Sequence, residues 1–92
     1  DLTFEASNPV TTEEVNSVVE HAAKNDMVKI LSYDTEPKVS IDFNHTSHSC
    51  IFAPEQTRVV GKHTVRVLAW YDNEWAFSCR MADVASTMGR LL

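Results

Sequence analysis

The chain has 92 residues, with 13 acids against 8 bases and a formal net charge of −5. A chain of that length forms one small domain or part of one and buries only ~60–65% of its unfolded surface, so its core is thin. The acidic balance, without any basic cluster, excludes an electrostatic footprint for nucleic acid, and no apolar run reaches the ~18 residues that a membrane span requires.

Asp1-Leu2-Thr3-Phe4-Glu5 lacks the charged and apolar regions of a signal peptide. Two cysteines, Cys50 and Cys79, are too few for a secreted disulfide framework, so both are expected as reduced thiols in a cytoplasmic protein. A sequence that opens directly on a strand pattern, with no initiator Met, reads as a piece of a longer protein.

Leu2, Phe4 and Ala6 alternate with Thr3, Glu5 and Ser7, which predicts a half-buried strand ended by Asn8-Pro9. Thr11 followed by Glu14 is a capping box: hydroxyl and carboxylate each accept from a backbone N–H that the first helical turn leaves unpaired. The helix that follows carries Val15, Val18, Val19, Ala22 and Ala23 at i, i+3, i+4, i+7 and i+8, a stripe suited to packing on a sheet. Three apolar runs come next, Val28–Tyr33, Val39–Phe43 and Ser49–Ala53, separated by the polar stretches Asp34–Lys38 and Asn44–His48, and each is expected as a strand.

Thr57–Val60, Gly61-Lys62 and Thr64–Tyr71 predict a hairpin whose second arm, apolar on both faces at Leu68-Ala69-Trp70-Tyr71, should be central. From Asp72 onward, Phe77, Met81, Val84, Ala85, Met88 and Leu92 fall at helical spacing, with Asp72 and Glu74 near the start and Arg90 near the end, as the helix dipole favours. The predicted architecture is α+β: a mainly antiparallel or mixed sheet, one helix packed on a face, and a C-terminal amphipathic helix over 73–92.

The segment Trp70-Tyr71-Asp72-Asn73-Glu74-Trp75-Ala76-Phe77-Ser78-Cys79-Arg80-Met81 joins a strand end to a helix start. An Asn there can present a donor and an acceptor to a ligand, and Asp or Asn there can equally be a plain helix cap. Elsewhere, His45, His48 and Cys50 bring three metal-capable side chains within six residues, but a tetrahedral site needs a fourth ligand and only Asp42 is near. The expectation is no metal, with the histidines hydrogen-bonding in loops. Cys50 and Cys79 are expected as core thiols rather than nucleophiles. Asp72 and Glu74 are expected to cap rather than catalyse, and Trp70 and Trp75 to be core anchors.

The aromatic-acidic segment resembles the motif W-Y-D-N-E-W-G-[YF]-S-N-R near the C-terminus of the glyceraldehyde-3-phosphate dehydrogenase family. Val39-Ser40-Ile41-Asp42-Phe43-Asn44-His45, His48-Ser49, Gln56-Thr57-Arg58-Val59, Leu2-Thr3-Phe4-Glu5, Pro9-Val10-Thr11 and Glu13-Glu14-Val15-Asn16 are similar to the same family, in the same order. Residues 1–92 then correspond to the C-terminal portion of its catalytic domain, with 73–92 packing on an NAD-binding domain that lies upstream. The resemblance implies an enzyme that oxidises a phosphorylated aldehyde through a cysteine thiohemiacetal, passes hydride to NAD and releases the acyl group to inorganic phosphate. It implies a homotetramer as well.

The nucleophilic Cys, its activating His and the phosphate-binding Thr and Arg would all precede Asp1, so no catalytic residue is expected here and the piece alone should be inactive. By the resemblance, Asn73 hydrogen-bonds the nicotinamide carboxamide, and Tyr71 is an aromatic wall beside the Cys–His pair. Ala76 stands where the family usually has Gly, Phe77 where Tyr is commoner, and Cys79 where Asn is usual. The Ala76 methyl would then crowd the nicotinamide side of the helix start. The lean is to glyceraldehyde 3-phosphate as substrate, with erythrose 4-phosphate the alternative. Without the resemblance, the same residues would suit a non-enzymatic α+β module that recruits a partner through an open sheet face or edge.

Overall fold

The computed structural model describes all residues from Asp1 to Leu92. Strand β1 (Leu2–Glu5) leads to helix α1 (Thr12–Lys24), strand β2 (Leu31–Tyr33), a 3₁₀ turn at Ser40–Phe43, strand β3 (Cys50–Phe52) and a short 3₁₀ turn at Pro54–Gln56. Strands β4 (Arg58–Val60), β5 (Thr64–Val67) and β6 (Ala69–Trp70) and helix α2 (Trp75–Arg90) complete the chain. The α+β class is as the residue patterns predict.

There are two small sheets, ordered β1-β5-β4 and β2-β3-β6. Three strand pairs are antiparallel, and β2 runs parallel to β3. The expected hairpin forms, with Val60 opposite Thr64 and positive φ at Gly61 (60°) and Lys62 (70°). The first part of its second arm, β5, is central in the first sheet, but Ala69–Trp70, the part whose two apolar faces led to that expectation, forms β6 at the edge of the second sheet. At Leu68 the strand breaks, the Leu68 carbonyl accepts from the Ala53 N–H at 3.0 Å, and β6 passes to the second sheet. One apolar stretch therefore stitches the two sheets together.

The capping box of α1 is present. Thr11 Oγ1 accepts from the Glu14 N–H at 3.2 Å, and Glu14 Oε2 accepts from the Thr11 N–H at 2.9 Å, a cap that stabilises by about 1 kcal/mol. Behind the helix, the Thr57 hydroxyl, 1% exposed, donates to Asn16 Oδ1 at 2.7 Å, and Asn16 Nδ2 donates to the Pro54 carbonyl at 3.1 Å. This partly buried polar chain fixes α1 against the turn that follows β3.

Several expectations are corrected. Val39–Phe43 is no strand: Asp42 Oδ2 accepts from the Val39 N–H at 2.9 Å and the Asp42 and Asn44 N–H groups reach back three residues to the Val39 and Ile41 carbonyls, closing a 3₁₀ turn. Residues 27–30 are turn rather than the start of β2. β1 is exposed along its length rather than half-buried. Leu2 and Phe4 instead line an open apolar groove of about 580 Å³ with Val10, Val15, Val19 and Phe52, so the α1 stripe is only partly covered and Val18 is 70% exposed. α2 begins at Trp75 rather than at 73, and from Met81 on every residue is exposed. No helix is long and apolar enough to cross a membrane.

Candidate functional site

The chain leaves β6 at Trp70 and reaches α2 across Tyr71, Asp72, Asn73 and Glu74. Asp72 organises this junction. Its Oδ1 accepts from the Glu74 N–H at 3.3 Å and the Trp75 N–H at 3.2 Å, pairing donors that the start of α2 would otherwise leave open. Its Oδ2 accepts from the His45 N–H at 2.8 Å. Hydrogen bonds from His45 and then Trp75 favour the ionised form and hold the carboxyl below the usual carboxylate range.

Aromatic contacts reinforce the same joint. Phe43 stacks on Trp70 with ring centroids 5.4 Å apart and 14° between planes. The His45 ring lies on Trp75 at 4.6 Å. His45 itself sits at φ 60°, a conformation uncommon outside Gly, although Asn, Asp and His adopt it more often than other residues. One turn further along α2, Arg80 Nη1 donates to the Lys29 carbonyl (3.3 Å) and to Ser49 Oγ (3.2 Å), while its Nε donates to Asp83 Oδ2 at 2.9 Å. The first turns of α2 are thereby tied to two loops.

Between these ties lies a cavity of about 250 Å³ lined by Ser49, Tyr71, Asn73, Ala76, Phe77 and Arg80 together with Asp72. Tyr71 is 65% exposed and also borders a second hollow of about 290 Å³ with Ser40, Ile41, Phe43 and Asn44. Asn73 is exposed, and its amide takes no part in the bonds that tie Asp72 down. Tyr71 and Asn73, the two predicted site residues, therefore share one cavity. An amide with free donor and acceptor beside an aromatic ring can pair with a ligand group that offers an acceptor and a donor in turn.

Ala76 lies at the buried floor of this cavity, 3% exposed. Trp70 is half-buried, whereas Trp75, at 45% exposed, is a surface partner of His45 rather than a core anchor. The other candidates are scattered. The His48 Nε2 lies 3.2 Å from the Val28 carbonyl, His45 is on Trp75, and no three His, Cys, Asp or Glu side chains converge. Cys50 is half-buried in β3 and burial pushes its thiol up, the opposite of an activated nucleophile. Asp72 pairs N–H groups at the start of α2 as the capping reading expected, but Glu74, at the N-cap position, makes no side-chain capping bond, and no acid stands in the first turn of the helix. The second bond of Asp72, to the His45 N–H across 27 positions, had no local signal.

The sheets, the capped helix and the exposed terminal helix define an α+β unit, and a family model described as glyceraldehyde 3-phosphate dehydrogenase, C-terminal domain, matches residues 1–73. The chain belongs to the glyceraldehyde-3-phosphate dehydrogenase family. It is 54% identical over 92 residues to a glyceraldehyde-3-phosphate dehydrogenase of Cereibacter sphaeroides, covering 100% of this chain and 28% of that protein. A protein of the same name from Xanthobacter flavus is 47% identical over 91 residues, 99% of this chain and 27% of the relative. Glyceraldehyde-3-phosphate dehydrogenase 2 of Bacillus subtilis is 45% identical over 84 residues, 91% and 25%. The chain thus spans about a quarter of the length of the curated relatives it matches.

Proposed function

We propose that this chain supplies the cofactor-facing strand–helix junction of an NAD-dependent, phosphorylating aldehyde dehydrogenase that oxidises glyceraldehyde 3-phosphate to 1,3-bisphosphoglycerate. The observation that carries the reading is Asn73, an exposed amide on a tethered junction, sharing a cavity with Tyr71. The names of the relatives support the reaction class. Bound NAD would accept the hydride that the aldehyde gives up.

In this reading Asn73 hydrogen-bonds the nicotinamide carboxamide and so orients the ring, and Tyr71 is a wall that limits water at the reacting end. Neither moves a proton. The nucleophile, its base and the phosphate-binding side chains belong to the remainder of the protein, so the 92-residue piece is inactive by itself. The exposed apolar face of α2 packs on the nucleotide-binding domain, and the whole is a cytoplasmic homotetramer. The exposure of Phe77, Met81, Val84 and Met88 supports a covering surface there.

The test is an assay of the full-length gene product with NAD, inorganic phosphate and each of two aldehydes. The expected result is a higher kcat/KM for glyceraldehyde 3-phosphate than for erythrose 4-phosphate. A reversed preference assigns the erythrose 4-phosphate branch, and no turnover of either aldehyde sinks the reading.

A further inference from the structure

Asn73 is exposed and its amide is tied to nothing around Asp72, yet an amide that orients a ring must itself be held. What holds it is the residue before it. The Oδ1 of Asp72 reaches over Asn73 to the N–H groups of Glu74 and Trp75 at 3.3 and 3.2 Å. Asn73 is therefore the central residue of a side-chain-closed turn. The other oxygen, Oδ2, takes the His45 N–H at 2.8 Å and fastens that turn to a loop that is itself docked by the Phe43–Trp70 and His45–Trp75 contacts. One carboxylate does two separate jobs, fixing the backbone of Asn73 and fixing the place of that backbone relative to the rest of the domain.

We infer that Asp72 is a positioning residue for the cofactor contact, pre-setting Asn73 through its two oxygens while touching no part of the cofactor. This rests on the reading of Asn73 given above. The physical basis is preorganisation: with the backbone of Asn73 already fixed, its side chain has fewer conformations to lose on binding. Freed of Asp72, the Asn73 backbone samples other conformations and the carboxamide bond is made only part of the time.

The test uses the full-length protein with Asp72→Ala, Asp72→Asn, Asn73→Ala and the double substitution Asp72→Ala/Asn73→Ala, measuring NAD affinity by calorimetry and tryptophan emission without cofactor. Asn73→Ala should weaken NAD binding by about five- to tenfold, the loss of one hydrogen bond. Asp72→Ala should weaken it by a comparable factor. The double variant should bind within about twofold of Asn73→Ala alone, because a residue that acts only through Asn73 has nothing left to act on. In the cofactor-free protein, Asp72→Ala should shift tryptophan emission to the red as the His45 loop leaves Trp75.

Asp72→Asn keeps a carbonyl oxygen for the turn and loses the second acceptor for His45. It should therefore fall between the wild type and Asp72→Ala in affinity, and it serves as the folded test if Asp72→Ala does not fold. If Asn73→Ala weakens binding while both Asp72 variants bind normally, the positioning role is overturned and the reading of Asn73 stands. If the two losses add in the double variant, Asp72 acts on the fold at large and the inference is overturned. If Asn73→Ala leaves affinity unchanged, the reading of Asn73 fails and the inference fails with it.

Discussion

At the scale of single residues, carboxylates set this structure's response to acid. Asp34 receives the Lys38 ammonium at 2.6 Å and the Glu36 N–H at 2.9 Å, and these bonds hold its carboxyl below the usual range. Asp72 is held low by the His45 and Trp75 N–H groups. A carboxyl whose folded-state pKa is depressed adds stability that is complete above the unfolded value of ~3.9 and is lost as pH falls through the lower folded value. The melting temperature should therefore be flat from about pH 5 to neutrality and fall below about pH 4. Asp34→Asn and Asp72→Asn should each lower the plateau and flatten the acid limb, and pH-resolved thermal melts check this. That Asp72 would cap a helix could be read beside Trp75; that its second oxygen would capture the His45 backbone could not, because nothing near either residue encodes the meeting.

At the scale of elements, periodicity was a good guide where a face has one neighbour and a poor one where polar side chains competed for the backbone. α1 and α2 follow their apolar spacing, and the Thr11 box opens α1 where expected. Val39–Phe43 has strand-like residues, yet the Asp42 carboxylate accepts from the Val39 N–H and a 3₁₀ turn wins. Spacing also correctly put an apolar face on α2 without saying what it meets. Phe77, Met81, Val84 and Met88 are 66%, 58%, 58% and 62% exposed, a stripe along a helix of 16 residues. The isolated chain should therefore self-associate in sedimentation, through this face or an open sheet edge. Met81→Glu, which sets a charge in the middle of the stripe, should shift it towards monomer; a clean monomer without the substitution would contradict the expectation.

At the scale of the whole molecule, only nine residues are buried and the chain extends 50 × 31 × 20 Å, so its core is as thin as its length implied. In the proposed reading, one carboxamide contact from Asn73 offers about 1 kcal/mol against several kcal/mol of lost translational and rotational freedom. The isolated chain should accordingly give no measurable heat with NAD, and micromolar binding would show a larger site than Asn73 alone provides. The sequence by itself determined the α+β class, both helices and the hairpin, because each depends on residues near one another in the chain. Only the tertiary structure decided that Thr64–Tyr71 would divide at Leu68 between two sheets, that β1 would face an open groove, and that Asp72 would lock onto His45. Those outcomes depend on backbone groups from distant segments competing for the same partners, and no local pattern ranks them. The strand–helix segment that stood out in the sequence is thus held in place from the loop at 43–45.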